Sequence, residues 1–113
     1  FSSRLTIREL AAVIARAALF VGADSGVMHI AAAMGTPLVA VFGPTNPLAW
    51  APWTPRSPAR VVRLGISCSP CAYVGHRVGR RHGCPERACL ADLDVAAVLA
   101  AASELLADRQ VTA

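Results

Sequence analysis

Apolar residues follow two patterns along the chain: helical spacing near both ends, and short unbroken runs between them. Ile7, Leu10, Ile14 and Ala17 recur at intervals that place them on one face of a helix reaching about Ala18. Its start is marked by Thr6, which can cap, by Glu9 three residues on, and by Leu5, which can staple to Leu10. Leu19, Phe20 and Val21 form an apolar run ended by Gly22, the pattern of a strand buried on both faces. Asp24 and Ser25 then read as cap residues for a helix over 26–34, with Gly35 as its stop. A second apolar run, Leu38 to Phe42, predicts another doubly buried strand, and a third strand is expected at Val61 to Leu64. The last helix is predicted from Asp94 as cap to about Ala107, with Val95, Val98, Leu99, Ala102 and Leu106 turned inward.

Two apolar strands joined by a crossover of about fifteen residues must run parallel, so the pattern predicts an α/β sheet. Three parallel strands are too few to cover both faces of a doubly wound sheet. Further strands are therefore expected upstream, which makes residues 1–113 the C-terminal portion of a larger open α/β domain. A start at Phe1 fits the same expectation of a fragment.

Composition sharpens this picture. A hydrophobic fraction of 55% with 16% charged residues excludes disorder, and a mean hydropathy of +0.49 suggests surface that expects a partner. The net charge is +4, and all the basic side chains are arginine. Arg77, Arg80, Arg81 and Arg87, with His76 and His82, form the basic concentration, but it lacks the interleaved aromatics on which single strands stack. No nucleic-acid partner is expected. Residues 25–55 carry no Asp, Glu, Lys or Arg, yet Gly35, Pro37, Gly43, Pro44 and Pro47 break them into pieces too short for a membrane span. The opening residues are not expected to form a secretory signal, and the compartment is expected to be reducing.

The densest chemistry lies in Gly22-Ala23-Asp24-Ser25-Gly26, followed by His29. A buried strand ends there in a tight loop, and the next helix begins with small residues whose free N–H groups point at the strand's carboxyl end. Unpaired amides and the helix dipole favour an anion, and Gly26 removes the side chain that would block close approach. Ligands of such sheets bind at this edge. His29, four residues after Ser25, shares its face and can donate to a phosphate or sugar oxygen. The spacing equally allows Asp24 and Ser25 to be plain caps and His29 a satisfied core histidine. Trp50 and Trp53, three apart among prolines, read mainly as loop-packing residues, with stacking on a sugar as the alternative.

Asp24-Ser25-Gly26, His29, Ala31-Ala32-Ala33, Gly35, Pro37 and Phe42-Gly43-Pro44-Thr45 together resemble the C-terminal domain of glycosyltransferase family 9, the lipopolysaccharide heptosyltransferases. Trp50, Pro52, Cys68-Ser69-Pro70-Cys71 and Cys89-Leu90 continue the likeness along nearly the whole chain. The resemblance implies a Rossmann-like parallel sheet with flanking helices, one part of a two-domain GT-B glycosyltransferase. It implies transfer of heptose from ADP-heptose to the lipopolysaccharide inner core, with Asp24 on sugar hydroxyls, Ser25 and Gly26 offering backbone donors to the diphosphate, and His29 in the same pocket. Thr45 either approaches the donor or belongs to a turn that redirects the chain. The general base is expected in an N-terminal domain outside this chain, so the fragment alone should be inactive. A cytoplasmic location, at the inner membrane's cytoplasmic face, is implied as well.

Cys68 and Cys71 form a CxxC; twelve residues separate Cys71 from Cys84, and four separate Cys84 from Cys89. A structural zinc site of four thiolates fits that spacing, although reduced packing thiols are favoured and no cofactor is expected to be required. The Arg- and His-rich insertion within the loop over 65–90 is longer than the resemblance predicts. It reads as a solvated surface, with attraction to anionic lipid headgroups as the alternative. Two other functions compete with the heptosyltransferase: a non-catalytic zinc-stabilised binding module, and a GT-B transferase using another nucleotide sugar.

Overall fold

A computed structural model describes residues 4–44, 46–66 and 87–112. The first helix, α1 (Ile7–Ala15), begins where the Thr6–Glu9 pair dictates. The Thr6 hydroxyl accepts from the Glu9 N–H at 3.2 Å, and the Glu9 carboxylate accepts from the Thr6 hydroxyl at 2.9 Å and its N–H at 3.4 Å. Two of the helix's orphan donors are thereby satisfied. Packing engages α1 beyond its first residues: Ile14 is buried and Leu10 leans on the core, whereas Ile7 is exposed, contrary to the four-residue stripe expected. The helix also stops three residues short of Ala18.

Strands β1 (Phe20–Ala23), β2 (Leu38–Phe42) and β3 (Ala59–Arg63) form a parallel sheet in the order β1-β2-β3. Helix α2 (Gly26–Ala33) makes the crossover between β1 and β2, and Gly35, at φ +75°, turns the chain back after it. That backbone conformation suits glycine, which lacks the Cβ that would clash.

β2 explains its own unbroken apolar run. Leu38, Ala40 and Phe42 face α1 and α2 in a core shared with Ile14, Met28, Ala31 and Ala32. Val39 points to the other face and packs against Ala101 and Leu105 of α5 (Val95–Thr112). A strand with helices on both faces has no polar side to write into its sequence. β1 differs. Phe20 joins the first core, but Val21 on the opposite face is 48% exposed, so the expectation of a doubly buried β1 is corrected. The cause is placement: α5 packs over β2 and β3, the far side of the sheet from β1.

The inward stripe of α5 also differs from the expected one. Ala101 and Leu105 are buried, with Val98 and Ala102 packed beside them, whereas Val95, Leu99 and Leu106 are exposed. Asp94 does cap, its carboxylate accepting from the Ala96 N–H at 3.0 Å. The helix is alanine-rich on every side, so alanine and leucine spacing alone leaves its rotation undetermined.

Two short helices complete the described chain: α3 (Pro47–Trp50) and α4 (Ala88–Ala91). Asn46 caps α3 by accepting from the Leu48 N–H at 3.1 Å, and Pro47 occupies its first turn, where a missing N–H costs nothing. No helix among the described residues is long and apolar enough to cross a membrane.

Candidate functional site

The carboxyl ends of β1 and β2 carry the loops singled out by sequence. Asp24 extends the ladder by one more bond, its N–H donating to the Val41 carbonyl at 3.1 Å, which holds the turn beside the end of β2. Ser25 stands at the N-cap of α2 in extended backbone, φ −154° and ψ 172°, yet its hydroxyl makes no capping bond. Among the described residues, the first-turn N–H groups of α2 therefore have no side-chain acceptor. Asp24 is half-buried at this edge, while Ser25 and Gly26 are exposed.

Gly26 is informative because its own protein does not require it. A Cβ built there meets nothing within 4 Å, so packing would accept a larger residue. Gly43, just beyond β2, is the opposite case: a Cβ would lie 2.7 Å from Leu90 Cγ. Leu90 of α4 is thus drawn directly over the backbone that follows β2, and the glycine is needed for that approach. Thr45 lies outside the described residues, as do Cys68, Cys71, Cys84 and the arginines at 77, 80 and 81. Cys89 is half-buried on α4, and the described residues hold no cluster of three metal-ligating side chains.

His29 is exposed, which removes its reading as a core histidine. It lines a shallow open groove of about 310 Å³ with Ala32, Ala33, Trp53, Pro55 and Arg56. That groove contains none of Asp24, Ser25 and Gly26. Trp53 is 80% exposed, so it does not pack the loop down as expected. Sequence reasoning passed over Arg56 and Pro55 altogether, although His29, Ala32 and Ala33 stand at the one-face helical spacing that could have marked a groove wall. It also passed over Thr36. That residue is buried, and its hydroxyl donates to the Ile14 carbonyl at 2.8 Å, tying the end of α1 to the loop after α2.

The sequence profile of glycosyltransferase family 9 (heptosyltransferase) matches residues 2–81, which include β1, α2, β2, β3 and the whole carboxyl-end site. The chain belongs to glycosyltransferase family 9. Among curated relatives it is similar to lipopolysaccharide heptosyltransferase 3 of Escherichia coli, 47% identical over 53 residues, covering 47% of this chain and 16% of the relative. It is also similar to lipooligosaccharide heptosyltransferase 2 of Campylobacter jejuni serotype O:2, 34% identical over 106 residues, covering 92% of this chain and 30% of the relative. The chain thus spans less than a third of the length of these relatives. No solved structure matches it. Within the family 9 chain, the α/β Rossmann-like sheet expected from the sequence is present, with its strands parallel and helices on both faces.

Proposed function

We propose that this chain is the donor-binding, C-terminal portion of a GT-B heptosyltransferase that moves heptose from ADP-heptose to the inner core of lipopolysaccharide. The observation that carries the reading is the turn Asp24-Ser25-Gly26: it sits at the carboxyl end of a parallel strand, its serine leaves α2 uncapped, and its glycine faces open space. A diphosphate placed there accepts from the first-turn N–H groups and sits at the positive end of the helix dipole, a term worth about 0.3–1 kcal/mol in exposed settings.

The chemistry follows from where charge moves. As the bond between the sugar's anomeric carbon and the diphosphate breaks, negative charge collects on the departing ADP, and donors already aimed at that position stabilise it without reorganising. In this reading the Ser25 and Gly26 N–H groups serve the diphosphate, Asp24 accepts from donor-sugar hydroxyls, His29 donates at the pocket's flank, and Thr45 borders the donor from the loop after β2. No metal is needed to hold the diphosphate when helix amides do so. The general base that takes the acceptor's proton belongs to an N-terminal domain beyond this chain, so the 113-residue chain alone is inactive. The enzyme works in the cytoplasm, at the inner face of the membrane that carries its acceptor.

The test is transfer by the intact gene product to a heptose-deficient lipopolysaccharide core, read by product mass. ADP-heptose is expected to add one heptose, and Asp24→Ala to lower kcat/KM for it by about a hundredfold, the loss of two hydrogen bonds at about 1.4 kcal/mol per factor of ten. Transfer from a different nucleotide sugar in preference to ADP-heptose would contradict the donor assignment, and undiminished transfer by Asp24→Ala would contradict the site.

A further inference from the structure

We infer that the groove between α2 and the segment entering β3 is a second ligand site, for a phosphorylated saccharide, with Arg56 holding the phosphate and Trp53 the sugar face. The groove shares only His29 with the donor pocket proposed above, and it lies toward the other end of the helix. α2 starts at the carboxyl end of β1 and ends before the amino end of β2, and the groove runs from His29 past Ala32 and Ala33 to residues that precede the amino end of β3.

Three observations carry the assignment. First, the wall is built and not loose. The Ser57 hydroxyl donates to the Thr36 carbonyl at 3.3 Å, and the Leu38 N–H donates to the Pro58 carbonyl at 3.2 Å, so the segment bearing Arg56 is fastened to the end of α2 and the start of β2. The Arg56 stem also lies over Gly35, its Cβ 3.7 Å from where a glycine Cβ would stand. Second, the polar chemistry is one-sided. Arg56 and His29 are the ionisable groups among the described residues lining the groove, and none of those residues is a carboxylate. Neither makes a hydrogen bond or ion pair to another described residue. A guanidinium offers a planar fork matched to phosphate oxygens, and an imidazole offers at least one N–H donor. Third, Trp53 holds an indole in solvent at 80% exposure beside those donors. A flat apolar surface next to a phosphate fork complements a sugar phosphate, whose axial C–H groups form an apolar face and whose charge sits at one end. Ala32 and Ala33 also line the groove and bring only methyl groups to it.

The experiment is titration calorimetry of the intact gene product with mannose phosphate, mannose, AMP and ADP, repeated on Trp53→Ala and Arg56→Ala. Both side chains are exposed, so neither substitution threatens folding. Mannose phosphate is expected to bind at least about tenfold more tightly than mannose, and each substitution to weaken it by about tenfold. ADP affinity is expected to stay within about twofold in both variants, which separates this groove from the donor pocket. The proposal is overturned if mannose phosphate shows no saturable binding, if either substitution leaves its affinity unchanged, or if AMP binds the groove more tightly than the sugar phosphate. Loss of ADP binding in a donor-site variant with mannose phosphate binding intact would leave this proposal standing. The reverse pattern would remove it without touching the donor pocket.

Discussion

Gly26 and Gly43 stand one at each carboxyl-end loop and answer to different masters. Gly43 is demanded by the fold: Gly43→Ala pushes its methyl into Leu90, whose side chain must move, and the expected cost is about 1 kcal/mol. Urea unfolding of Gly43→Ala, Leu90→Ala and the double variant should show coupling, because once Leu90 is trimmed the added methyl has room. Additive effects would mean the contact does not matter. Gly26 has no such neighbour, and alanine is the better helix former, so Gly26→Ala should leave stability unchanged or slightly raised. Thr36 is a third residue-scale case. Thr36→Val removes the hydroxyl bond to the Ile14 carbonyl, but that carbonyl also accepts from the Ala17 N–H at 3.0 Å. The loss should therefore be about 1 kcal/mol, as for one net hydrogen bond, and not the larger penalty of a stranded acceptor. A loss above about 3 kcal/mol by denaturant titration would contradict this.

At the scale of elements, α5 offers the sharpest check of how the sheet is covered. Leu105 is 1% exposed and packs on Val39, whereas Leu99, six residues earlier, is 60% exposed. Leu105→Ala should cost about 2–5 kcal/mol by the loss of a buried side chain and the cavity left behind, and Leu99→Ala less than about 0.5 kcal/mol. A larger loss for Leu99→Ala than for Leu105→Ala in thermal unfolding would mean the helix is turned as its spacing alone suggested. The comparison also shows what could be read from residues. Elements announced by local chemistry were legible: the Thr6–Glu9 box, the Asp94 cap, the run of β2 from Leu38 to Phe42, and the glycine turn at Gly35. The rotation of α5 and the exposure of Val21 were not, because both depend on which helix lies over which strand, a long-range fact that no local period encodes. α4 was not legible either; it is four residues long and begins from Arg87 in the left-handed region, with no side-chain cap to announce it. In the site, the Asp24–Gly26 turn was readable from its strand-glycine-helix pattern. The groove at Trp53 and Arg56 was not, since it joins α2 to a segment more than twenty residues away.

For the molecule as a whole, the parallel sheet separates two ends with different surroundings. Its carboxyl end presents an uncapped helix start and a glycine with open space beside it; the amino end of β3 is approached by the pinned segment carrying Trp53 and Arg56. The ion pair of Arg60 with Glu104 at 3.7 Å is solvent-exposed and worth little to stability, whereas burial is concentrated in the two apolar cores that β2 divides. The central claim is that the Gly26 edge receives a nucleoside diphosphate, and calorimetric titration of the intact gene product with ADP, alongside Gly26→Ala, tests it most directly. Saturable ADP binding is predicted, weakened by about tenfold or more in the variant, or about 1.4 kcal/mol, with no loss of thermal stability. ADP binding that is absent from the parent protein, or equally tight in Gly26→Ala, would contradict the account.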